Sequence, residues 1–143
     1  MTTTSLAESL GGTPVLGGVI ASPLEWIEAL EKGLPIEAIE AAVERGILTR
    51  DEAEEFVIPR RTLSHRKQKG QRLTLEESDK LGRITRLTAR AAETFGSPED
   101  AVAWLREPNG ALAGQAPLDL LRTGEGAVLV EQILTRIDHG VYT

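Results

Sequence analysis

Two histidines, His65 and His139, and two adjacent carboxylate pairs, Glu54/Glu55 and Glu76/Glu77, are the side chains of this sequence that would be examined first for acid–base work. A catalytic assembly needs a nucleophile or base held by a second group, and no such pairing is visible at helical or turn spacing around any of them. There is no cysteine, which excludes thiolate chemistry, a disulfide framework and a Cys-based zinc site. No phosphate-cradling glycine loop, dinucleotide fingerprint or metal-ligand spacing is present. Helix-end electrostatics account for the residue types instead. The carboxylate pairs fall in first turns, where the helix dipole favours negative charge, and His139 falls in a last turn, where an imidazolium would meet free carbonyls. The expectation is a non-enzyme with no cofactor and no metal.

The other chemistry on offer is charge. The net charge is −6, but residues 1–59 carry 3 Lys/Arg against 11 Asp/Glu, residues 60–90 carry 10 against 3, and residues 91–143 carry 3 against 8. The cations are therefore concentrated in one segment. A short helix after a turn that displays Arg60, Arg61, Thr62, Ser64, His65, Arg66 and Lys67 has the composition of a recognition helix, with cations for phosphates and polar side chains for base edges. The alternative is a solvated basic face that balances the acidic helices of the same chain.

A third pattern lies at the other end. Trp104-Leu105-Arg106-Glu107-Pro108-Asn109-Gly110-Ala111-Leu112-Ala113-Gly114 is followed by Pro117-Leu118-Asp119-Leu120-Leu121, Gly126 and a closing Ile137-Asp138-His139-Gly140-Val141. Gly and Pro at fixed offsets from apolar anchors specify a shaped loop between helices. Many of the apolar anchors are core. The Asn109–Gly114 stretch and the ending Asp138, His139, Gly140, Val141, Tyr142 and Thr143 are not explained by core formation, and a terminal peptide with an aromatic and a carboxylate suits the cleft of another protein.

The elements that must position these groups are all helical by pattern. Ser22-Pro23-Leu24-Glu25 predicts a helix start, running over residues 23–32 to Gly33. Further helices are predicted over residues 35–45, from a Thr49–Glu52 capping box to about residue 56, over residues 60–69, and from Thr74 to Gly96 with Leu81, Ile84, Leu87, Ala91 and Phe95 on one face and Lys80, Arg83, Arg86 and Arg90 on the other. Ser97-Pro98 opens one over residues 98–106, Pro117 a short one to residue 121, and Thr123 the last, with Gly140 as a left-handed stop. No strand alternation competes, so the fold class is all-α: an N-terminal helix-turn-helix-like bundle followed by a C-terminal helical domain. Residues 1–21, rich in Thr, Ser and Gly, are expected to form a flexible tail. Domain limits are expected at 22–72 and 73–143. The apolar runs are too short for a membrane span, and no leader pattern precedes them; together with the absence of cysteine this predicts a cytoplasmic protein with no membrane partner.

The C-terminal signature, W-L…P-N-x-A-L-x-G-x-x-P-L-D-L-L followed by R-I-x-x-G-V, resembles the toxin-binding domain of the Xre/MbcA/ParS antitoxins. Arg61-Thr62-Leu63, Leu73-Thr74 and Glu77-Ser78-Asp79-Lys80-Leu81 resemble the middle of the same family. The resemblance implies the antidote half of a toxin–antitoxin pair, whose partner is a RES-fold, ADP-ribosyltransferase-like toxin that uses NAD and whose pocket the antitoxin covers. It implies contact positions at Asn109, Leu112, Gly114, Pro117, Leu121, Arg136, Gly140 and Val141; Asp138, His139, Tyr142 and Thr143 extend them on the reading of the tail given above. Repression of its own operon through the basic helix, as a homodimer on operator DNA, is expected as a second role. Two other readings remain open from the residues alone: a free-standing transcriptional regulator without toxin inhibition, and a helical adaptor that binds no DNA.

Overall fold

The structure, a computed structural model, describes residues 2–141, so the expected roles of Tyr142 and Thr143 lie outside the described residues. Among the described residues ten α-helices follow one another: α1 (Thr3–Ser9), α2 (Gly12–Leu16), α3 (Pro23–Lys32), α4 (Glu37–Glu44), α5 (Arg50–Phe56), α6 (Arg60–Lys69), α7 (Leu75–Phe95), α8 (Pro98–Arg106), α9 (Pro117–Leu120) and α10 (Gly124–Asp138), with one 3-10 turn at Gly110–Leu112. There is no strand among the described residues, and no helix is long and apolar enough to cross a membrane.

Local chemistry sets most of the starts. The Ser22 hydroxyl accepts from the Glu25 N–H at 3.2 Å, and Ser97 and Thr123 do the same for Asp100 and Gly126 at 3.1 and 3.0 Å. Thr49/Glu52 and Thr74/Glu77 form reciprocal capping boxes. Each satisfies amides that the first turn leaves without a carbonyl partner.

The chain divides into two compact units, Met1–Gly82 and Arg83–Thr143. The first has a core of Leu34, Ile36, Ile39, Leu48, Phe56, Ile58, Leu73 and Leu81. Buried Ser78 accepts a 2.8 Å hydrogen bond from the Leu34 N–H, and Gly82 admits the indole of Trp26, whose ring carbon would lie 2.9 Å from any Cβ there. The second packs Leu105, Leu118, Leu121, Val130 and Leu134, with the Phe95 and Trp104 rings tilted at 5.3 Å between centroids.

Two expectations need revision. Residues 1–21 are not a bare tail. Thr2 caps α1, Leu6, Ala7 and Leu10 are buried, α1 packs on α2 and α3, and α2 packs on α4. Three apolar residues on one face of a capped turn provide enough burial to order a segment that averaged composition scores as polar. The division into units also falls inside α7 and not before it. The first turns of that helix hold to the first unit through Glu77, Ser78 and Gly82, and its later turns carry the arginines that bind within the second. Caps and glycines mark where a helix starts, which is a different question from where packing changes partners.

Candidate functional site

In the first unit, α5, the buried turn residues Val57 and Ile58, and α6 form a compact helix-turn-helix. Pro59 caps α6, and Gly70, at φ 64°, ends it with the Gln71 N–H donating to the Arg66 carbonyl at 2.9 Å. The basic residues of α6 are not equivalent. Arg60 donates toward Asp51 and Glu54 of α5 at 3.4 and 3.3 Å. Arg66 is paired with Glu77, the same carboxylate that caps α7, and both side chains are largely withdrawn from solvent. Thr62 is half-buried. Arg66, expected at the DNA surface, therefore serves to hold α6 in place, because a guanidinium committed to a shielded carboxylate has little left to offer a phosphate. Arg61, Ser64, His65 and Lys67 are exposed. Lys67 adds to the field that lowers the Glu40 carboxyl below its ordinary range, an effect caused first by the hydrogen bond from the Arg50 guanidinium, 2.9 Å away.

In the second unit, Asn109 organises the loop. Its Oδ1 accepts from Ala111 N–H at 2.9 Å, its carbonyl accepts from Leu112 and Gly114 N–H at 3.0 and 2.9 Å, and its own N–H donates to the Gln115 carbonyl at 3.0 Å. Ala113 and Gly114 adopt left-handed backbone, φ 55° and 83°, which turns the chain back on itself. Leu112 is driven into the core, while Gly110, Ala111, Ala113, Gly114 and Gln115 are exposed. From Gly110 to Gly114 the outer rim thus presents small side chains over which another surface can approach the backbone closely, with the longer Gln115 at its end. Leu112, Pro117 and Leu121, expected as contacts, are buried within this unit.

The end of α10 is equally constrained. The Val141 N–H donates to the Arg136 carbonyl at 2.8 Å and the Gly140 N–H to the Ile137 carbonyl at 3.0 Å, with Gly140 at φ 75°. This is a Schellman stop. The Asp138 carboxylate receives the Arg90 guanidinium at 2.6 Å, and His139 Nδ1 lies 2.8 Å from the Thr135 carbonyl. Asp138 and His139 are tethered in this way, whereas Arg136 and Val141 are exposed with side chains that make no hydrogen bond or ion pair among the described residues. Val128 and Leu129, 50% and 47% exposed, stand on the outer surface of the same helix and were missed from sequence. The available signal was Ala127-Val128-Leu129-Val130, a run of four apolar residues that wraps further around a helix than one buried stripe requires.

Residues 90–140 match the family model for the antitoxin Xre/MbcA/ParS C-terminal toxin-binding domain, and residues 25–86 match that for the antitoxin Xre-like helix-turn-helix domain. A protein named Antitoxin Xre from Pseudomonas putida is 36% identical over 121 residues, which cover 85% of this chain and 76% of the relative. This chain belongs to the Xre/MbcA/ParS antitoxin family. Similarity within the family extends to an Antitoxin Xre from Yersinia enterocolitica, 34% identical over 87 residues covering 60% of this chain and 59% of the relative. It also extends to a Prs ADP-ribosylating antitoxin from a Sphingobium species, 28% identical over 134 residues covering 85% and 83%. The Asn109 loop and α10 both fall inside the toxin-binding match, and α5 and α6 inside the helix-turn-helix match. The chain is accordingly an antitoxin of the Xre/ParS type, with a cognate toxin as partner.

Proposed function

We propose that this antitoxin neutralises a RES-fold, NAD-using toxin by laying the Asn109 loop and the end of α10 over the toxin's pocket, and that it represses its own operon through α6. The observation that carries the first part is the loop rim. It is a closed hydrogen-bonded turn whose exposed side chains from Gly110 to Gly114 are all small, in the same unit as α10 and its stop, which leave Val128, Leu129, Arg136 and Val141 exposed. Together they offer apolar anchors, a solvent-facing cation and an approachable backbone within one unit. The Sphingobium relative is named for ADP-ribosylation, a reaction whose donor is NAD, which supports a toxin of that chemistry here. Self-association accompanies the second part, since helix-turn-helix modules read two half-sites as a two-fold dimer. The setting is the reducing cytoplasm, in keeping with a chain that has no cysteine. The unit limits proposed are a helix-turn-helix half and a toxin-binding half joined through α7.

Co-expression tests the reading. A small protein encoded beside this chain should arrest growth alone, be tolerated together with it, and co-purify with it. Growth arrest that persists in the presence of this chain contradicts the proposal.

A further inference from the structure

We infer that α6 reads base edges with one stripe, Arg61, Ser64, His65 and Gln68, flanked by Lys67 and Lys69 on phosphates, while Arg60 and Arg66 take no part in recognition. The inference rests on the DNA-binding half of the function proposed above. At about 100° per residue, Arg61 and Gln68 lie two turns apart on nearly the same line of the helix, with Ser64 and His65 to either side of it. All four are exposed, and their side chains make no hydrogen bond or ion pair among the described residues. The opposite face is occupied: Leu63 is half-buried and Arg66 is bound to Glu77. Arg60 lies on the same flank of the helix as Lys67 and is drawn back to Asp51 and Glu54 of α5. Lys67 and Lys69 each stand roughly a quarter-turn beyond the stripe, on opposite sides. That is the placement required to meet the two phosphate backbones that line a major groove.

The residue types then set the base preference. A guanidinium at Arg61 matches the two acceptors of guanine, and the carboxamide of Gln68 matches the acceptor–donor pair of adenine. Cations for the phosphates are few. Asp51, Glu52, Glu54 and Glu55 make α5 acidic, so that helix contributes repulsion where such modules otherwise add cations. Sequence preference should therefore outweigh salt-dependent affinity in this antitoxin.

The test is selection of bound sequences from a pool of randomised duplexes by the full-length chain, followed by titration of the selected duplex at several salt concentrations. Arg61→Ala should lower affinity about tenfold and erase preference at a guanine position, and Gln68→Ala should do the same at an adenine. Lys67→Gln and Lys69→Gln should weaken all duplexes alike, each reducing the log–log salt slope by about 0.9 because one phosphate is no longer neutralised. Circular dichroism confirms that these exposed positions leave the fold intact. If the wild-type chain selects a sequence and the Arg61 and Gln68 variants retain its affinity and preference, the stripe is wrong and DNA binding stands. If the wild-type chain enriches no sequence, the DNA-binding reading and this inference fail together.

Discussion

Arg90 of α7 and Asp138 of α10, 48 positions apart in sequence, meet at 2.6 Å. The ion pair fastens the last turn of α10, the turn from which Gly140 and Val141 project. Asp138 thus acts as a tether beneath the proposed toxin-facing residues. The Thr94 hydroxyl, and after it the Arg90 guanidinium, hold its carboxyl below the ordinary aspartate range. A depressed value means the pair adds stability above that range and loses it as pH falls through the depressed value, below about 4. Amide protection factors in the final turn of α10, rates corrected for the intrinsic pH dependence of exchange, should fall in Asp138→Asn at neutral pH and in the wild-type chain only on acidification. Equal protection in both at neutral pH would show the pair to be incidental.

The Ser78 hydroxyl satisfies a buried backbone amide, that of Leu34. Ser78→Ala leaves this N–H without a partner and should cost about 1–3 kcal/mol of stability, read as a lower denaturation midpoint with an unchanged slope. A loss well under that range would mean that water reaches Leu34.

Gly126 sits against the end of α9, where an added methyl would be driven into the Leu120 carbonyl. Gly126→Ala should therefore destabilise the second unit by about 3 kcal/mol, although alanine is the better helix former. Thermal unfolding distinguishes the outcomes: a stabilised variant would show that α10 shifts freely.

These examples separate what the sequence displays from what it hides. Helix starts were legible at Ser22, Thr49, Thr74, Ser97 and Thr123 because a cap joins residues three positions apart, and the helix-turn-helix and loop signatures were legible for the same local reason. Partners across the fold were not. Arg66 looks like any other cation of a basic segment until Glu77 is placed beside it, and Asp138 looks like an exposed tail residue until α7 brings Arg90 to it. Leu112, Pro117 and Leu121 share the motif with Asn109, and spacing alone does not say which motif residues turn inward. The order of residues 3–16 was missed because three buried side chains outweigh a polar average.

For the proposed NAD-using toxin the most direct measurement is NAD consumption by the purified toxin, with the wild-type chain or with a variant carrying Ala111→Arg and Arg136→Glu, two exposed positions in the loop and on α10. The wild-type chain should stop NAD loss once it equals the toxin in amount, and the double variant, folded as before, should leave most of it running. Continued NAD loss in the wild-type complex, or full protection by the variant, would contradict occlusion by this surface.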